Sequence, residues 1–311
     1  MLNILRDVKN IEMTEVNDVE FDIEIFATGY ESRSIILAQK LTNQSCPNRL
    51  VFGFAENRLD ENRIKNDVFY ESIGITPTVV SSRDDSEIYS HLIRTFNNVK
   101  DLQNINILLD YTSMSRLWYP GILHFIRLQE KTSINVYINY SLGKYSNNFL
   151  DHSYTSISSL PSHEGSLSSN NKTLLVLAIG FSPYMVKSVI EEIEPNQIIG
   201  VLPIPNIIEK YVEISKNIKE NILTNDIDIW INCPINNLEH IFRTYAELAS
   251  NNINQKDLIF LSLGPKIFTI ASILVSQRFD QVTCLYIKSD GSVADVEASG
   301  DFICNKISYG K

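Results

Sequence analysis

From residue 22 onward, short apolar runs alternate with longer stretches in which apolar residues recur every three or four positions. The runs predict strands over 22–28, 49–55, 77–82, 105–110 and 134–141. The stretches between them predict helices over 31–42, 57–73, 85–98 and 116–130. Strand and helix in strict alternation imply a parallel sheet with helices on both faces.

The alternation then starts again. Strands are predicted near 173–179, 197–202, 227–232, 257–262 and 282–288, with helices near 184–194, 206–223, 235–251 and 266–279. The turns of the two halves align: "FATGYE" with "LAIGFS", "ILLDYTS" with "IFLSLGP", "YSLG" with "KSDG". Gly29 to Gly180 is a step of 151, Asp110 to Ser262 one of 152, and Gly143 to Gly291 one of 148. Near-equal steps in chain order predict an internal duplication of a Rossmann-like unit. Two unrelated α/β domains, or one larger sheet, are the alternatives. The expected division is a first repeat over 1–145, a polar linker over 146–172 and a second repeat over 173–311. The linker is rich in Ser, Asn, Pro and Gly, and reads as a mobile surface connection.

Composition narrows the function classes. A 311-residue chain with 44% hydrophobic and 21% charged residues is expected to be soluble and globular. No apolar run has the length of a membrane span and the first residues do not read as a signal peptide, so a cytoplasmic location without membrane attachment is expected. A formal net charge of −10 argues against broad nucleic-acid binding, although a local basic pocket for one phosphorylated molecule is compatible with it. Cys46, Cys233, Cys284 and Cys304 are too scattered for a disulfide framework or a zinc site, and the histidines fit no metal motif. No P-loop, nucleophile elbow, HExxH or kinase motif is present, and the sequence names no cofactor.

Ligands of parallel α/β sheets lie beyond the carboxyl ends of the strands, where helix N-termini present free N–H groups. Two polar clusters fall there. In "TGYESRS", Gly29 permits a tight turn, Glu31 is placed to hold a ribose hydroxyl or act as a base, and Arg33 to grip phosphate. The plain alternative is an acidic residue complementing a helix dipole. In "DYTSMSR", Asp110 is a candidate acceptor or general base, while Thr112, Ser113 and Ser115 are hydroxyl donors and Arg116 follows at the helix start. Against this stands capping: Ser113 or Ser115 capping the helix, Asp110 closing an Asx turn. Arg116 opposes the helix dipole, which points to an anion or a carboxylate facing it; an ion pair with Asp110 or Glu31 is the competing account. Glu56, after the second strand, is a further candidate for sugar hydroxyls. Most of the other charges of "AENRLDENR" read as a solvated helix face.

At its Gly-Tyr-Glu-x-Arg and Asp-Tyr-Thr-Ser-Met-Ser-Arg turns the chain resembles a scattered group of uncharacterised bacterial proteins. Its tandem Rossmann-like build is similar to the CARF and SAVED sensor domains of antiviral systems, which bind signalling nucleotides. What the resemblance implies is a nucleotide-recognising component of phage defence. Three readings stay open: a protein binding a nucleotide or other phosphorylated ligand, a nucleotide-processing enzyme using Asp110 or Glu31 for glycosidic or phosphoryl transfer, and a structural subunit. A protein partner or a second copy of the chain is compatible with each.

Overall fold

Two open sheets organise the chain in a computed structural model that describes residues 3–41, 46–144, 153–167, 172–180, 182–204, 226–290 and 295–311. The strands are β1 (Ile4–Ile11), β2 (Ile23–Thr28), β3 (Arg49–Phe54), β4 (Thr78–Val80), β5 (Asn104–Asp110), β6 (Ser133–Gly143), β7 (Ser153–Ser159), β8 (Lys172–Ala178), β9 (Gln197–Ile204), β10 (Ile229–Pro234), β11 (Lys256–Ser262), β12 (Thr283–Asp290) and β13 (Ala298–Gly310). The described helices are α1 (Met13–Asn17), α2 (Ile36–Lys40), α3 (Glu61–Ser72), α4 (Ser86–Asn98), α5 (Trp118–Arg127), α6 (Pro183–Ile193), α7 (Leu238–Asn252) and α8 (Lys266–Arg278). A 3-10 turn, Ser32–Ile35, leads into α2. The helix expected over 206–223 and the glycine at 291 lie outside the described residues.

Both sheets hold a five-stranded parallel core with the same order. In the first it is β4-β3-β2-β5-β6, in the second β10-β9-β8-β11-β12. Numbered within each core, both read 3-2-1-4-5, and strand order reverses between strands one and four. The aligned turns therefore fall on matching positions: Asp110 closes β5 as Ser262 closes β11, and Gly29 and Gly180 follow the first core strands.

Helices cover both faces, as the fold class requires. On one face of the first sheet Phe26, Val51, Leu108 and Tyr137 pack with Leu37 and Ala38 of α2 and Tyr70 of α3. On the other, Phe52 meets His91 of α4 and Trp118 of α5 edge-on. In the second sheet Leu175, Leu177, Ile259 and Leu261 pack with Val186 and Val189 of α6. Tyr245 of α7 meets Phe260 from the other side. Helix starts follow their caps: the Asp60 carboxylate accepts from the N–H groups of Asn62 and Arg63, and Asn237 accepts from His240 N–H.

Three antiparallel strands depart from the expected division. β13 lies between β1 and β6 in the first sheet, and β7 lies beside β12 in the second. β7 follows β6 in sequence yet joins β12; β13 follows β12 yet joins β6. The two compact units are therefore Met1–Asn148 with Val293–Lys311, and Phe149–Ser292, in place of the divisions at 145 and 172. The stretch expected as a mobile linker is built in where it is described. It supplies β7, then buries Leu160 and His163, and His163 Nδ1 lies 2.6 Å from Ser276 Oγ of α8.

Candidate functional site

Strand order in the first sheet reverses between β2 and β5, so the turns 29–34 and 111–117 face one another at the carboxyl edge. They carry all the sequence-predicted site residues except Glu56 and Asp110, the latter being the last residue of β5.

In the first turn, Arg33 and Glu31 form an ion pair at 3.0 Å with both side chains largely buried. Arg33 is 5% exposed, its guanidinium also donates to the Ser141 carbonyl at 2.9 Å and the Tyr140 hydroxyl at 3.2 Å, and it lies over the Tyr140 ring. Burial works against its charge, but Tyr140 and Glu31 outweigh it and keep the guanidinium more firmly protonated than usual. This arginine belongs to the frame of the site. Gly29 has ordinary negative-φ geometry, and the Phe54 ring sits where a side chain would go, so close packing, not turn strain, explains the glycine. Asn66 of α3, buried, donates to the carbonyls of Gly29 and Glu31 and to Ser34 Oγ and so clamps the turn.

The second turn is self-capped in part. Asp110, 2% exposed, accepts from the N–H of Thr112 at 3.0 Å and from its hydroxyl, the Asx turn that capping alone requires. Thr112 Oγ1 in turn accepts from Ser141 N–H at 2.8 Å. Ser115 donates to the Ser82 carbonyl at 2.9 Å and accepts from Leu117 N–H at 3.3 Å. Arg116 is half-buried just ahead of α5. Trp118 and Tyr119 are core residues: Trp118 stacks on Phe54 with ring centres 4.3 Å apart and donates to the Ser81 carbonyl. Pro120 falls in the first turn of α5, where its missing N–H is harmless.

One contact joins the two walls: Ser113 Oγ donates to Glu31 Oε2 at 2.9 Å. The next turns are stitched on as well. Glu56, exposed, accepts from Ser82 N–H at 3.1 Å and from the hydroxyls of Ser81 and Ser82. Its partial burial pushes the carboxyl up, but these hydrogen bonds prevail and hold it below the usual carboxylate range. The four turns after β2, β3, β4 and β5 are thus tied into one rim, with Arg58 and Arg83 exposed along it.

Several residues that matter here were not singled out by sequence. Arg63 was expected on a solvated helix face; it is buried, pairs with Asp67 at 2.8 Å and donates to the Phe54 carbonyl across Gly53, whose lack of a side chain admits it. Its signal was the stripe 63, 66, 70, one helix face ending in a buried tyrosine. Tyr140 and Ser141 were expected only as the end of a strand and the start of the turn "YSLG"; they lie inside β6, and nothing in the sequence marked them as partners of Arg33. In the second unit Gly180 and Gly264 serve close approach of two turns, each crowding the backbone of the other's neighbourhood at Leu263 and Ile179. Among the described residues no group of His, Cys, Asp and Glu has a metal-holding arrangement, and no helix is long and apolar enough to cross a membrane.

No family profile and no curated protein matches the chain. Among solved structures it is similar to a Haemonchus contortus phosphoethanolamine N-methyltransferase bound to phosphoethanolamine and S-adenosylhomocysteine, at 7% identity and a TM-score of 0.24 over 85% of this chain and 74% of that one. It is also similar to a ketoreductase from a macrolactin assembly line, at 8% identity and 0.21 over 90% and 73%. A ketoreductase domain from the bacillaene assembly line stands at 7% and 0.21 over 84% and 62%. The Rossmann-like assignment rests on the strand order itself, not on these likenesses.

Proposed function

We propose that the protein binds a nucleotide or another phosphorylated small molecule at the carboxyl edge of the first sheet, between the turns after β2 and β5. The observation that carries this reading is the Ser113–Glu31 hydrogen bond spanning the point where strand order reverses. In open α/β sheets that crevice is the ligand position. Walls already tied together lose little entropy when a ligand arrives. In this reading Arg116 meets phosphate, Ser113 and Ser115, whose protons go to Glu31 and the Ser82 carbonyl, accept from the ligand through their hydroxyl oxygens, and Glu31 and Glu56 hold sugar hydroxyls. Arg33 fixes the Glu31 carboxylate, and Asp110 holds Thr112 in place. Arg58 and Arg83 add positive charge at the mouth.

Binding is favoured over turnover because Asp110 is enclosed and already accepts two hydrogen bonds from Thr112. The resemblance to CARF and SAVED domains directs the search to signalling nucleotides, and a part in antiviral defence is the setting it suggests. The test is calorimetry of the folded chain against linear and cyclic nucleotides, with mass analysis of each mixture afterwards. Binding without product is expected, and Arg116→Ala is expected to weaken it about tenfold or more, the worth of one charge-assisted hydrogen bond. Absence of heat with every nucleotide overturns the reading; product formation transfers the site to an enzyme acting through Glu31.

A further inference from the structure

In the second unit the stretch after β7 is pinned along β12. Leu160 N–H donates to the Cys284 carbonyl at 2.8 Å, and Cys284 N–H donates to the His163 carbonyl at 2.8 Å. Thr283 Oγ1 donates to the Glu164 carbonyl at 2.7 Å, and Gly165 lies so close to Thr283 that a side chain there would strike its backbone. Between these ties the His163 ring enters the core: the residue is 3% exposed, and its Nδ1 lies 2.6 Å from Ser276 Oγ of α8. The Ser276 hydroxyl gives its proton to the Ile273 carbonyl at 2.8 Å, so its oxygen accepts and Nδ1 carries the hydrogen. One ring therefore bolts the stretch 160–166 to α8.

An imidazole with its hydrogen on Nδ1 has one further protonation step, and burial opposes it. Ser276 of α8 and Thr283 and Cys284 of β12 meet the stretch without charge. Burial, against hydrogen bonds to Ser276 and Ser272, pushes the Cys284 thiol up to about 12, so it stays neutral where imidazole titrates. Of the charged residues nearest in the chain, Glu164 is exposed and accepts from Ser162 N–H at 3.0 Å, and Arg278 and Asp280, at and just past the end of α8, are exposed. Ser162 itself holds a left-handed backbone with φ 66, a strain for serine that opening relieves.

We propose that His163 is an acid-released latch that holds β7 on the edge of the second sheet. β7 is the outermost strand there, paired along β12 from Ser153 to Ser159. The closed latch binds the second proton less readily than the open one. Closure is therefore complete above the ordinary imidazole value of about 6.5 and is lost as the pH falls below it. With the ring out, the ties along β12 lose their anchor, β7 lifts, and the outer edge of β12 is bared. The latch needs no ligand and lies in the other unit, so it stands or falls apart from the binding reading.

Hydrogen exchange of the whole chain between about pH 5 and pH 7.5 tests it, each rate divided by that of an unstructured amide at the same pH. Protection of the Leu160 and Cys284 amides, and of those of β7, is expected to fall by up to about tenfold per pH unit below about 6.5, the slope of one proton. The amides of β8, β9 and β11 are expected to keep theirs. In His163→Asn the side-chain amide still donates to Ser276 but takes no proton, and the slope is expected to vanish. Flat protection in wild type, a fall at Leu160 and Cys284 that spares β7, or a slope that persists in His163→Asn overturns the latch. So does a fall shared equally by β8, β9 and β11, since acid then unfolds the unit as a whole. Should His163→Asn open at every pH or fail to fold, the NMR titration of the wild-type His163 ring decides. A midpoint below about 6.5 sustains the latch, and one at or above it overturns it.

Discussion

Glu31→Gln separates a carboxylate that serves the frame from one that only awaits a ligand. The substitution removes the counter-charge of an arginine that is 5% exposed, and breaking a buried pair from one side costs ~3–5 kcal/mol. Two features lower that figure. Arg33 keeps the Ser141 carbonyl at 2.9 Å and the Tyr140 hydroxyl at 3.2 Å, and the Tyr140 ring stays 5.0 Å from the guanidinium carbon. Glutamine also retains one carbonyl oxygen that can accept from Arg33 or Ser113. The loss expected is about 2–3 kcal/mol. Urea unfolding reads it, followed by the fluorescence of Trp118, which is buried in the first unit. The only other tryptophan, Trp230, is in the second unit, so a Trp230→Phe background isolates the transition of interest. Adding Arg33→Met to Glu31→Gln removes the stranded cation, and the double variant is expected to be more stable than the single one by ~1 kcal/mol or more. A shift below about 0.5 kcal/mol for Glu31→Gln, or additive losses in the double variant, refutes the reasoning.

Two further outcomes follow from single contacts. Lys131, buried, donates to the carbonyls of Val99 at 2.6 Å, Lys100 at 3.0 Å and Leu102 at 2.7 Å, closing the C-terminal end of α4; Lys131→Met is expected to lower stability by about 3 kcal/mol in the same urea assay. Glu56, held below the usual carboxylate range, contributes stability that is complete above the ordinary value of 4.5 and lost as the pH falls through and below it. Glu56→Gln is therefore expected to be less stable than wild type at neutral pH, the difference shrinking below about pH 4.5 in melts across the acid range.

The parallel strands were legible because burial on both faces makes them short, nearly continuous apolar runs; β2, "IEIFAT", is buried at every position. The antiparallel strands were not. β1 carries a register shift between Leu5 and Asp7 that breaks its alternation, and its charged residues suit an edge. β7 is four parts serine in seven and reads as linker. β13 reads as more of the second repeat, because nothing local tells a strand which sheet to join. The site was legible in part for the same reason. Turn chemistry marks where polar residues gather, so Glu31, Ser113 and Arg116 stood out. The partners that decide their roles, Tyr140, Ser141 and Asn66, come from other elements and are brought in only by tertiary structure.

The exchange of β7 and β13 sets a timetable for the nascent chain. β6 emerges early, but the strand that covers its side away from β5 is made only after about half the sequence has followed. At ribosomal speeds of roughly 5–20 residues per second that side stands unpaired for many seconds, a template for stray strands. Of the two units, the one begun earlier is therefore completed later, and a polypeptide cut short anywhere before β13 lacks an interior strand of its first sheet. Quality control has in this topology a simple mark of an unfinished first sheet: until β13 arrives, β6 offers a bare row of N–H and C=O groups.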